Sequence, residues 1–147
     1  VRNGNSRSHY RRRLGLLVYE YAVVEVVEVI DGDTVDFVID LGFSIQIKHR
    51  IRLGGINAPE TRTRNEFEKQ LGLEAKNFLA SKLMSAKTIT VKTKKDEKGS
   101  FGRMLGWIYI DNSIEPINQE MVDKGYAWIY DLPKDFEKLL SKRSDSV

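Results

Sequence analysis

Residues 43–53 alternate without a break: Phe43, Ile45, Ile47, His49, Ile51 and Leu53 fall on one side, Ser44, Gln46, Lys48, Arg50 and Arg52 on the other. A two-residue period held over that length is a strand with one face turned inward, because a helix repeats its apolar positions every three to four residues. His49, on the apolar row, reads as a hydrogen-bonded core or rim residue rather than a ligand. Shorter strand signals surround this one. Val, Tyr and Ile dominate residues 16–30, and Val35, Phe37 and Ile39 share one face of residues 34–40, with a turn at Leu41-Gly42. Residues 88–94 and 103–110 give two more strands, joined by the polar stretch 95–102.

Helical periodicity appears in three places. Phe67, Leu71, Ala75, Phe78, Leu79, Leu83 and Ala86 trace one face, and Asn65 with Glu68 has the spacing of a capping box at its start. Residues 117–124 form a short helix stopped by Gly125, and residues 133–142 a last one opened by Pro133. Residues 54–65, with Gly-Gly and Ala-Pro, read as an irregular loop, and Asp111-Asn112 as a turn. Five short strands that must bury one face and hide their edges favour a small closed barrel. With a helix inserted between the third and fourth, the pattern is that of a mainly β, five-stranded OB-fold barrel with three helices. Residues 16–147 are expected to make one such domain, after a flexible basic lead-in over residues 1–15.

Composition narrows the chemistry. The chain has no cysteine and only two histidines, His9 and His49. That removes thiol nucleophiles and Cys-based zinc sites and leaves little for a His-centred triad. Carboxylates, amides, Lys and Arg must do any work. The 24 Lys and Arg against 21 Asp and Glu give +3, but residues 1–13 hold five arginines and no acid. The rest is therefore mildly acidic, and the lead-in carries the basicity, as a nucleic-acid or anionic-surface arm would. No apolar run reaches the roughly 20 residues of a membrane span.

Three stretches carry chemistry. Asp31-Gly32-Asp33-Thr34 offers hard oxygen ligands at a turn, and Asp33 shares the parity of the inward residues Val35, Phe37 and Ile39. A carboxylate on that row needs a cation or donors to offset its desolvation. Arg52 lies at a strand end, with Asn57, Ala58 and Glu60 in the loop behind it. A guanidinium forks onto phosphate oxygens, and a carboxylate beside a cation can orient or deprotonate water. Phe101-Gly102-Arg103 puts a second arginine at the start of a strand, aimed back at the barrel mouth.

Taken in order, Asp-Gly-Asp-Thr-Val at 31–35, Arg-Leu-x-x-Ile-x-x-Pro-Glu at 52–60, Gly-Arg-x-Leu-Gly-x-Ile-Tyr at 102–109 and Ile-Asn-Gln-Glu-Met-Val-x-x-Gly at 117–125 resemble the thermonuclease (staphylococcal nuclease-like) family. The resemblance runs from about Val23 to Ile129. It implies a Ca²⁺-dependent phosphodiesterase acting on DNA and RNA. Asp33 matches a direct calcium ligand, with Asp31 and Thr34 in supporting parts, and Ala58 a residue that ligates through its backbone carbonyl. Glu60 matches the carboxylate that activates water, and Arg52 and Arg103 the pair that clamps the phosphate.

Asn57 stands where the family has a second metal-binding carboxylate, so one ion is expected to bind weakly and activity to be reduced. Phe101 is a candidate for base stacking, as are Tyr126, Trp128 and Tyr130, with core packing the expectation for at least two of these three. The implied partners are DNA and RNA as substrates, with no membrane and a monomeric chain, in an exported or cell-envelope setting rather than a cytoplasmic or phage one. Two alternatives stand beside this: a nuclease-like module that binds nucleic acid or protein without cutting, and an OB-fold binder of sugar or peptide.

Overall fold

The computed structural model describes residues 19–96 and 103–145. The lead-in, Phe101 and Gly102 lie outside the described residues. Five strands close a barrel in the order β1-β2-β3-β6-β5: β1 (Tyr19–Asp31), β2 (Thr34–Gly42), β3 (Ile45–Leu53), β5 (Ile89–Lys95) and β6 (Met104–Ile110). The helices are α1 (Glu66–Met84), α2 (Ile117–Asp123) and α3 (Phe136–Asp145). The expected barrel with three helices is what the chain forms. Among the described residues no helix is long and apolar enough to cross a membrane.

The inward rows follow the two-residue parity. Val35, Phe37 and Ile39 of β2, Ile51 and Leu53 of β3, Val91 of β5 and Ile108 of β6 are all buried. Leu71, Ala75, Leu79 and Leu83 line the buried face of α1, joining the three- to four-residue period to that core. β1 is long enough to serve two neighbours. Residues 19–22 pair with β5, and the remainder pairs with β2 through three register shifts that coil the strand around the barrel.

Closure needs two pairings between strands distant in sequence, β1 with β5 and, over three residues only, β3 with β6. Ile51, Arg52 and Leu53 run parallel to Met104, Leu105 and Gly106, while every other barrel pair is antiparallel. Asn118 of α2 locks this seam: its Oδ1 accepts from Ile108 N at 3.1 Å, and its Nδ2 donates to the carbonyls of Gly54 and Gly106 at 2.9 and 3.0 Å.

Several details differ from the sequence expectations. The hairpin turn falls at Phe43-Ser44, both with positive φ (53° and 61°), instead of at Leu41-Gly42. A bulge between Asp40 and Gly42 moves it on by two residues. The apolar row of β3 is consequently buried only at its far end: Phe43, Ile45 and Ile47 are 93%, 55% and 42% exposed. The capping box is half formed. Asn65 Oδ1 accepts from Glu68 N at 3.0 Å, but the Glu68 carboxylate turns away to Glu60 N at 3.2 Å.

Phe67 points outward onto the edge of Phe136, and α1 stops at Met84 before Ala86. The last helix begins at Phe136, not Pro133, because Asp135 caps it through Lys138 N at 3.1 Å. The segment expected to be wholly irregular contains β4 (Ile56–Asn57), which pairs antiparallel with β7 (Trp128–Ile129). These two strands are too short to register as an alternation.

Asn118→Ala removes the side-chain partner of Ile108 N and of the Gly54 carbonyl, at about 1–3 kcal/mol each, while the Gly106 carbonyl keeps Gly54 N. The expected result is a loss of at least about 2 kcal/mol in urea unfolding, with an unchanged m-value; a loss below about 0.5 kcal/mol would contradict the lock.

Candidate active site

One mouth of the barrel gathers the residues that the sequence scattered. A cleft of about 960 Å³ is lined by Asp31, Asp33, Thr34, Arg52, Asn57, Ala58, Glu60 and Arg103. Three mechanisms put them there. The Asp31–Thr34 turn is pressed onto α1, where a Cβ on Gly32 would come within 2.7 Å of Ala75 Cβ and 3.0 Å of Ala58 Cβ. Gly32 is thus needed for close approach rather than for an unusual φ. The β2–β3 pairing holds Arg52 opposite Thr34, and Leu53 N donates to the Asp33 carbonyl at 2.7 Å. The Ala58–Glu60 loop passes over α1 so closely that a Cβ on Gly72 would meet the Glu60 carbonyl at 2.5 Å.

Asp33 is the hub. Its Oδ2 accepts from Ala58 N at 2.8 Å and lies 3.5 Å from Arg52 Nη2, while Oδ1 accepts from Thr34 Oγ1 at 2.9 Å. These donors are what a carboxylate on an inward row requires. Arg52 is largely buried, and its fork is held by the Leu53 carbonyl at 3.0 Å and by Asn57 Oδ1. Asp31 accepts from Thr61 Oγ1. Arg103 reaches the cleft, but its Nε and Nη2 rest on Asp96 Oδ2 at 2.6 and 2.5 Å.

Glu60 lies in the acidic part of the cleft. Burial pushes its carboxyl above the ordinary glutamate value, repulsion from Asp31, Asp33 and Glu68 adds to the rise, and Arg52 opposes it. Glu68 accepts from the Glu60 amide and sits 3.5 Å from Lys134 Nζ. An acidic floor with cationic walls suits a ligand that brings positive charge to the carboxylates and negative charge to the arginines. Among the described residues no three of Asp, Glu and His form a ready metal cluster.

Four side chains here were not singled out from the sequence for site roles: Glu68, Asp96, Lys134 and Arg50. Glu68 carried a signal, but a misleading one, because its spacing from Asn65 fits a cap. Asp96 and Lys134 carried none beyond their charge. Of the aromatic candidates, Trp128 and Tyr130 line the cleft, brought there by β4–β7 pairing. Tyr126 is half-buried against the core, stacked on Phe78 at 4.3 Å.

Comparison with known proteins adds a family. Residues 50–144 match the model for the staphylococcal nuclease homologue family. The chain is 36% identical over 106 residues to an uncharacterised endonuclease of Escherichia coli O157:H7, covering 72% of this chain and 60% of that one. It is 30% identical over 103 residues to the thermonuclease of Staphylococcus hyicus, covering 70% and 56%. It is 32% identical over 120 residues to endonuclease YhcR of Bacillus subtilis, covering 75% of this chain but 9% of that protein. The chain thus spans less than two thirds of each of these relatives.

Because the folded carboxyl of Glu60 is raised, ionising it works against folding. Its contribution favours the folded state below the unfolded-state pKa and is lost as pH rises through the folded value. Glu60→Gln is therefore expected to raise the thermal unfolding midpoint at neutral pH, with the gain vanishing in acid. A midpoint lowered at neutral pH would reject the repulsion.

Proposed function

Because the chain belongs to the staphylococcal nuclease homologue family, we propose that it hydrolyses phosphodiester bonds in DNA and RNA with low sequence preference. The observation that carries this reading is the convergence of Asp33, Arg52, Glu60 and Arg103 on one cleft. A phosphodiester is an anion that repels hydroxide, so an enzyme must neutralise charge and deliver water in line. Glu60 is the group that takes the proton of the attacking water, and its raised pKa moves it toward the working range of a general base. Arg52 and Arg103 hold the phosphoryl oxygens and oppose the charge that builds as the new bond forms. Trp128 and Tyr130 are placed to stack on the bases beside the scissile phosphate.

The donor set fits a hard divalent cation such as Ca²⁺. Asp31, Asp33 and Glu60 all carry hard oxygen donors on one cleft, and Asp31 and Asp33 both raise the Glu60 carboxyl, a repulsion that a cation would relieve. Asp33 and the Ala58 carbonyl would hold the ion with Asp31 in support. Bound there, it would supply Lewis-acid neutralisation of the phosphate. Asn57 is a poorer ligand than an acid on two counts, since it is uncharged and its Oδ1 already accepts from Arg52.

A second reading has one observation in its favour. Both arginines are engaged by protein oxygens, Arg103 by Asp96 and Arg52 by Asn57 and the Leu53 carbonyl, as they would be in a module that binds without cutting.

Digestion of denatured DNA and of RNA with Ca²⁺, Mg²⁺ or chelator separates the two readings. Cleavage is expected with Ca²⁺ and none with chelator, and Glu60→Gln should lower turnover at least about a hundredfold while the protein stays folded. Binding with no cleavage under any metal supports the module instead. Asn57→Asp is expected to tighten Ca²⁺ about tenfold in calorimetry, roughly 1.4 kcal/mol; no change would remove this loop from the metal site.

A further inference from the structure

The barrel has a second groove that the chemistry above does not use. About 390 Å³ in volume, it lies between the first residues of β1 and the outer half of β3. Tyr19 and Tyr21 form one wall, and Ile39, Ile47 and His49 form the other. Tyr19 and Tyr21 sit in register with Thr93 and Val91 of β5, on the inward face of β1. Their rings are stacked at 6.3 Å with 14° between planes. Burial, with the neighbouring Tyr19 adding, pushes the Tyr21 phenol above its ordinary value, so it stays neutral. Ile47 is 42% exposed in the opposite wall, an apolar surface that water covers at a cost.

What would cover it follows from its neighbours. His49 lines both this groove and the catalytic cleft. Its Nδ1 must donate to the Arg50 carbonyl at 2.8 Å, since a carbonyl only accepts, which leaves Nε2 for a ligand. Lys94 and Lys95 line both this groove and the depression that contains Arg52, Arg103 and Tyr130. Among the described residues no Asp or Glu lines the groove. A polyanionic strand leaving the scissile position crosses that depression, where Asp96 and Asp131 also sit, and meets two ammonium groups and then an aromatic, apolar slot. That sequence of surfaces suits a planar base with its phosphates outside, and it has no use for a paired base locked in a duplex.

We propose that this groove is a nucleobase subsite, in which one unpaired base of single-stranded DNA or RNA stacks against Tyr21 while Lys94 and Lys95 hold the flanking phosphates. The proposal rests on the nuclease reading and adds a second place on the barrel at which the substrate strand is held.

The test uses the full chain and three measurements. Hydrolysis of a small aryl phosphodiester, too short to reach the groove, reports on the nuclease reading alone. Affinities for a single-stranded oligonucleotide and its duplex are compared in the unaltered protein, Tyr21→Leu and Lys94→Ala/Lys95→Ala. The ratio of single-strand to duplex affinity is expected to fall about tenfold in Tyr21→Leu, as loss of one stacked base would require. The double lysine variant should flatten the salt dependence of single-strand binding. Photo-crosslinking of an iodouracil-substituted single strand should map to Tyr19, Tyr21 or His49.

An unchanged ratio, or crosslinks confined to Trp128 and Tyr130, overturns the subsite even if the aryl diester is cleaved. If Tyr21→Leu lowers the unfolding midpoint while the ratio holds, the slot is filled by the protein itself and the proposal falls. Absence of both hydrolysis and oligonucleotide binding in the unaltered protein sinks the nuclease reading and the subsite together.

Discussion

The molecule depends on a parallel contact only three residues long. Antiparallel hairpins can form from local turns, but a barrel closes only when strands far apart in sequence meet, and here Ile51–Leu53 meet Met104–Gly106. Parallel pairing is the weaker kind per residue, so the seam needs help. Asn118 provides it with three buried hydrogen bonds, and Gly54 N adds a fourth to the Gly106 carbonyl at 2.9 Å. Arg52 is the middle residue of the seam. The contact that helps close the barrel therefore also fixes the most buried cation of the cleft, so the barrel's closure and the cleft's geometry share one set of bonds.

The cleft's electrostatics are built from mismatched neighbours. Burial and three neighbouring carboxylates raise the Glu60 carboxyl, and one guanidinium opposes them. The arginines meanwhile rest on protein oxygens: Asp96 for Arg103, and Asn57, Asp33 and a backbone carbonyl for Arg52. These contacts hold both forks near the cleft at the cost of competing with any phosphate for them. A bound cation beside the carboxylates and a phosphate between the arginines would relieve both imbalances together. Asn57 adds no charge to this balance, and its side-chain oxygen accepts from Arg52.

Periodicity made much of the fold legible. The inward rows of β2, the far half of β3 and the buried face of α1 lie where their alternation or helical spacing puts them. It failed where a local signal had two meanings. Phe43-Ser44 adopts left-handed backbone angles with neither Gly nor Asn, so turn chemistry pointed two residues too early. Glu68 has the spacing of a capping box, yet its carboxylate serves the Glu60 amide, because α1 packs beneath that loop. Trp128 and Tyr130 come beside Asn57 through a pair of two-residue strands with no alternation to read.

Strand parity, the inward face of the long helix and the residue types available for chemistry are readable along the chain, since these depend on neighbours a few positions apart. Asp33, Arg52, Glu60 and Arg103 are readable there as a set. Folding alone opens them into one cleft, brings Asp96 and Lys134 to join them, and packs Tyr126 away while leaving Tyr130 exposed. Those outcomes turn on register at the seam and on close backbone approach at Gly32 and Gly72, which are contacts between residues distant in the chain and leave no mark in local spacing.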